Sequence, residues 1–305
     1  MELAVITAQK ISVMFVMALI GMVCYRVKLI DKHTNEKLSD ILLLLVSPLL
    51  IFTSYQQEFD PEKLNGLLTA FVMAAASHAI AIVMASFAVR RGRKDYQVER
   101  MGVIYSNCGF MGIPLVNALF GAEGVFYVTA YITVFNILIW THGVILMTGK
   151  RDTKSLLAAL KSPCIIAIIL GIVCYLCRIR FPALILEPIE AIADMNTPLA
   201  MLVAGISIAG SDIRSLLKKK RIYYLCAVRL LVIPVVVLAV LKALHLSDMV
   251  TTVTVLATAC PTGTTGTLFA LRFHGNSGYA SEIFGLATAF SIVTIPFIML
   301  LCGWI

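Results

Sequence analysis

The stretch Asn107-Cys108-Gly109-Phe110-Met111-Gly112-Ile113-Pro114 interrupts an apolar run long enough to cross a membrane. A second run is interrupted by Ala259-Cys260-Pro261-Thr262-Gly263-Thr264-Thr265-Gly266, with Cys260 in register with Cys108 after a shift of 152 positions. Proline removes a backbone donor and clashes with the preceding turn. Glycine weakens a helix by about 1 kcal/mol relative to alanine. Gly109, Gly112 and Pro114 in one run, and Pro261, Gly263 and Gly266 in the other, therefore predict two helices that unwind near mid-membrane. Freed N–H and C=O groups are tolerable there only if they line a cavity or lie buried in protein. One such break merely kinks a helix. Two in matching positions of two halves point to a transporter and its binding site.

Working outward, the same doubling recurs. Ser47-Pro48-Leu49 falls on Thr197-Pro198-Leu199 after a shift of 150 positions. The chain is 60% hydrophobic and 14% charged, with a mean hydropathy of +0.93. Soluble chains carry about 25% charged residues. Ten apolar runs follow one another, at 4–25, 37–56, 65–89, 98–120, 124–147, 163–179, 184–209, 222–245, 249–271 and 279–303. They are too long and too uniformly apolar for barrel strands, so the expected fold is an all-α polytopic membrane protein. The first run lacks a small-residue cleavage site and is expected to be a spanning helix, not a signal peptide.

Loops after spans 1, 3, 5, 7 and 9 carry 4, 5, 4, 5 and 1 Lys or Arg, whereas the opposite loops carry only Lys63, Arg178, Arg180 and Lys242. The positive-inside rule then puts both termini outside. The net charge of +8 is a topology signal, and a nucleic-acid partner is not expected. Ten spans divide into 1–147, a cytoplasmic linker 148–162 with a short amphipathic helix expected at Lys154–Leu160, and 163–305. Span 1 enters from outside and span 6 from inside, so the halves are expected to form a 5+5 inverted repeat with broken crossover helices at spans 4 and 9.

The Asn107–Pro114 stretch resembles the signature of the auxin efflux carrier family, and Ser47-Pro48-Leu49, Asn196-Thr197-Pro198 and Arg229 with Pro234 are similar to its pattern. The resemblance covers the whole chain in length and span order. It implies a fold like that of sodium/proton antiporters and bile-acid transporters. Spans 1, 2, 6 and 7 would form a scaffold, leaving a homodimer through those helices open. Spans 3–5 and 8–10 would move around the crossing of spans 4 and 9. It also implies organic-anion substrates, auxin in plants and dicarboxylates such as malate or malonate in bacteria, with the bacterial inner membrane as location. The long hydrophilic central loop of many plant members is lacking here, so auxin itself does not carry over.

The resemblance places a substrate ligand at Asn107, whose amide can donate to a carboxylate without a buried charge. Capping of the broken backbone is the alternative. Ser47, Asn196 and Thr197 either bond carbonyls freed by proline or contact substrate, and Thr262 is a further expected contact. Tyr131, Asn136 and His142 are spaced to line a cavity or to pack. Arg229 lies eight residues beyond Arg221, about 12 Å into its helix. An intramembrane Arg is a functional candidate. It either binds the anion or, the favoured alternative, braces the broken helices. Lys10 is expected to snorkel.

Intramembrane acids are few: Asp194, which shares a face with Glu187 and Glu190, and Glu282. No adjacent acidic pair sits at the crossing, which disfavours sodium/proton exchange and leaves coupling to protons or sodium, or none, open. The eight cysteines read as small apolar residues. No cofactor or metal is expected, and no nucleotide-binding, zinc-protease or serine-hydrolase motif occurs. The expected function is a secondary carrier of small organic anions. An anion channel and a lipid enzyme are weaker alternatives.

Overall fold

A computed structural model describes residues 2–149, 161–209, 219–244 and 247–304, apart from the side chains of 2–8, 10, 11, 271 and 304. The helix expected at Lys154–Leu160 and the Lys10 side chain lie outside the described residues. The described chain is helical: α1 Glu2–Arg26, α2 Lys32–Ser54, α3 Pro61–Ala88, α4 Tyr96–Ile104, α5 Cys108–Thr148, α6 Pro163–Leu176, α7 Ala183–Ala193, α8 Asn196–Ala209, α9 Lys220–Ala243, α10 Asp248–Ala259, α11 Thr264–Arg272 and α12 Ser277–Trp304. Among the described residues, α2, α3, α5, the pair α7–α8, α9 and α12 are long and apolar enough to cross a membrane, with Ser12–Arg26, Pro163–Leu176 and Asp248–Ala259 as shorter apolar helices. The molecule is an integral membrane protein. Large apolar side chains such as Phe87 and Leu184 stand outward at more than 80% exposure, as lipid-facing residues do.

One correction to the expected spans has a local cause. α2 begins at Lys32, not Lys37, because the Asp31 carboxylate accepts from the Thr34 N–H and caps it; that bond holds the Asp31 carboxyl below its usual range. The fourth and fifth runs divide at Gly121, which turns the chain inside α5 with φ +60° and ψ −152°. Only glycine adopts that conformation readily.

Prolines shape the long helices in one repeated way. Pro48, Pro114 and Pro234 each follow a π-helical turn, at Leu42–Val46, Cys108–Gly112 and Val228–Val232. In each, the residue before proline donates five residues back: Ser47 to Leu42, Ile113 to Cys108, Ile233 to Val228. The wider turn carries the helix past a position that has no donor of its own.

α1 and α8 pack backbone to backbone. A Cβ on Gly205 would lie 1.9 Å from the Ala18 carbonyl oxygen, and one on Gly21 2.4 Å from that of Leu202. Small residues permit this approach in lipid, where helix pairing relies on van der Waals contact.

Candidate substrate site at the two helix breaks

The two interrupted helices meet at their interruptions. Asn107 N–H donates to the Pro261 carbonyl at 2.7 Å, and Gly263 N–H donates to the Tyr105 carbonyl at 3.0 Å. Ser106 and Thr262 form an isolated antiparallel bridge. Each break thus satisfies part of the other's unwound backbone, as buried peptide groups require. The Thr262 hydroxyl donates to the Gly102 carbonyl at 2.8 Å. Gly263 admits the close pass, since a Cβ there would lie 3.0 Å from the Ser106 carbonyl oxygen.

Arg229 sits where α4 and α10 end. It is 1% exposed and donates to the carbonyls of Thr258 (2.5 Å), Cys260 (3.0 and 3.3 Å), Val103 (3.3 Å) and Ile104 (3.4 Å). These are last-turn carbonyls or lie just beyond, the negative ends of two helix dipoles. A planar guanidinium with five donors suits such a fork of acceptors. The geometry is that of a brace.

A cavity of 660 Å³ opens beside the breaks. One wall carries Asn107 and Phe110 from the first break, Thr264, Thr267 and Leu268 from the first turns of α11, and Ser281, Glu282 and Phe284 of α12. The facing wall carries Asn35, Ser39 and Leu43 of α2 with Val203, Ala204 and Ile206 of α8. Lys32, Glu36 and Asp40 stand on the first turns of α2. Glu282 is ion-paired with Lys219 at 2.5 Å, and Asp40 lies 3.7 Å from Lys37.

Among the residues expected to bind substrate, Asn107 lines this cavity. It is 5% exposed, and its side-chain amide makes no hydrogen bond to a described residue, while its backbone is occupied by Pro261, Met111 and Gly112. Ser47 and Asn196 pair with each other instead, Nδ2 to Oγ at 2.8 Å, both buried. Thr197 reaches the Pro114 carbonyl at 3.4 Å, and Asn136 donates to the Ile132 carbonyl one turn back. Tyr131 is buried behind the breaks, its hydroxyl 3.5 Å from that of Ser106 and 3.4 Å from that of Thr258, its ring 4.6 Å from His78. His142 bonds the Tyr105 hydroxyl at 2.8 Å.

The α2 and α11 wall residues were not expected. Their signal was present as a helical-period polar stripe, Lys32, Asn35, Glu36, Ser39 and Asp40, with Thr264 and Thr267 repeating the spacing.

The profile of the family described as membrane transport protein matches residues 6–156 and 151–299. The chain belongs to that family. The auxin efflux carrier resemblance of the Asn107–Pro114 stretch leads to the same place, and the chain is similar to proteins named as transporters. The uncharacterized transporter YfdV of Escherichia coli K12, and its counterparts in Escherichia coli O157:H7 and Shigella flexneri, are each 26% identical over 203 residues. The match spans 62% of this chain and 62% of each relative.

Proposed function

We propose that this transporter carries small organic anions, mono- or dicarboxylates, by alternating access at the meeting of its two broken helices. The observation that carries the proposal is the Asn107 amide, nearly buried in the cavity wall and bonded to no described residue. An amide donor beside the first turns of α5 and α11 offers a carboxylate neutral donors and two positive helix ends. Arg229 is spent on the opposite, carbonyl ends, so no buried cation needs to be neutralised at the site itself.

The architecture proposed with it has ten spans in two inverted halves of five, both termini outside, in a bacterial inner membrane. Spans α1, α2, α6 and α7–α8 form the scaffold, with homodimerisation through that face. The broken helices and their neighbours move as one body in an elevator-type step. The contact of α1 with α8, drawn from opposite halves, supports a rigid scaffold.

Glu36 and Asp40 on the cavity wall support a second reading, in which a proton or sodium ion accompanies the anion. Purified protein in proteoliposomes is to be assayed for uptake of labelled malate, malonate, an indole carboxylate and a cationic amine, with and without pH and sodium gradients. Saturable carboxylate uptake is expected. Saturable uptake of the amine alone reverses the sign of the site, and gradient-independent uptake removes the coupled reading.

A further inference from the structure

At the far end of α2 from the cavity, the chain is closed by a compact aromatic cluster. α2 runs from Lys32 at the cavity to Ser54, and Tyr55 follows at once. At 1.5 Å per residue, Tyr55 stands about 18 Å beyond the cavity-lining Leu43. Its hydroxyl lies 2.5 Å from that of Thr129 on α5. The Thr129 hydroxyl donates its own proton to the Phe126 carbonyl at 2.6 Å, so Tyr55 is the donor of the pair. The Tyr55 ring packs edge-on against Phe126 at 5.0 Å, and Phe126 packs on Tyr175 of α6 at 5.2 Å. Tyr55, Phe126, Thr129 and Tyr175 are all at most 2% exposed. Gly171 of α6 holds the ring from behind, because a Cβ there would lie 2.5 Å from it. Tyr175 is tied in turn to the α2–α3 loop, donating to the Asp60 carbonyl and accepting from its N–H, both at 3.0 Å.

Two bodies meet at this cluster. Tyr55, Gly171 and Tyr175 come from α2 and α6, and Phe126 and Thr129 come from α5. We propose that the Tyr55–Thr129 pair is the latch of the closed face: it holds the far end shut while the cavity is open at the other end, and it must break when the cavity changes sides. This rests on the alternating-access proposal above. The chemistry suits a latch that releases. Aromatic contacts slide at modest cost, while one directional hydrogen bond between two neutral hydroxyls is made or lost as a unit. The rest of the cluster excludes water and therefore makes that bond decisive.

The test is hydrogen–deuterium exchange of the full-length protein in lipid nanodiscs, with Thr129→Val and Tyr55→Phe compared with the parent and with Thr129→Ser, which keeps the acceptor. Both disruptive variants are expected to raise exchange about threefold to tenfold in 50–55 and 126–133, the shift that losing one buried hydrogen bond gives. Both are expected to lower exchange in 264–268, as the opposite cavity closes, and Thr129→Ser is expected to match the parent. Faster exchange at 50–55 and 126–133 with 264–268 unchanged means local loosening and overturns the latch, as does no change at either end. Two disruptive variants keep the test decisive if one fails to fold. Carboxylate stabilisation of the parent is measured alongside. Its absence overturns the substrate class and leaves the exchange pattern as the sole judge of the latch.

Discussion

The two helix breaks face the same problem and meet it unequally. The first, at Tyr105–Asn107, gives its backbone to the second and turns to the cavity a side-chain amide that bonds no described residue. The second, at Cys260–Gly263, is bound more tightly from within: Arg229 reaches Thr258 and Cys260 at 2.5–3.3 Å but Val103 and Ile104 only at 3.3–3.4 Å. Thr262 ties down α4 and contributes nothing to the cavity wall. Both breaks reach the cavity, the first through the Asn107 amide and the second through Thr264 on the first turn of α11, while the second also takes the shorter bonds of the brace. Two matched breaks can thus share a geometry without sharing a role equally, because the unwound backbone must be satisfied at each.

That contrast can be broken most forcefully at Arg229. Arg229→Met leaves carbonyls of both breaks without donors and is expected to lower stability by about 3 kcal/mol or more. Arg229→Lys, with three donors on a point charge, is expected to lose less. Thermal unfolding in detergent measures both, and a parent-like melting curve for the methionine variant would refute the brace.

Next comes the glycine pair. Gly263→Ala forces a Cβ toward the Ser106 carbonyl oxygen at 3.0 Å and is expected to cost about 1–3 kcal/mol. A Cβ at Gly109 meets nothing within 4 Å, so Gly109→Ala is expected to stay within about 1 kcal/mol of the parent. Equal melting shifts for the two would erase the asymmetry between the breaks. Thr262→Val removes the bond to Gly102 and is expected to cost about 1 kcal/mol, without changing the thermal shift induced by a bound carboxylate.

The smallest stability effect is expected where the functional effect is largest. Asn107→Ala should melt within about 0.5 kcal/mol of the parent, since its amide bonds no described residue. Calorimetry with the best carboxylate should then find binding lost, and a reduced but measurable affinity in Thr264→Val. Unchanged affinity in Asn107→Ala would remove the contrast of roles between the two breaks.

Much of this was legible in the residues. Helix breakers report on the backbone, and Gly109, Pro114, Pro261 and Gly263 flank the residues whose backbones bond each other, while Arg229, picked out by its depth, donates to carbonyls beside them. Side-chain direction was less legible. Ser47 corresponds in register to Thr197 and not to Asn196, and the positions alone do not reveal that the Asn196 amide donates to the Ser47 hydroxyl. The α2 wall was missed for a different reason. Its polar stripe precedes the apolar run, and a span drawn by hydropathy begins only at Lys37, after the first turn and the Asp31 cap.

The contact between α1 and α8 has a mechanical consequence. Where Gly205 meets Ala18 and Gly21 meets Leu202, main chain touches main chain, with no rotamers between to absorb a displacement. Such a joint is stiff in compression. When the surrounding bilayer thins or thickens, helices accommodate by tilting, and these two must tilt together as one post. Bilayer thickness then reorients the frame as a whole and leaves the spacing of its two helices unchanged.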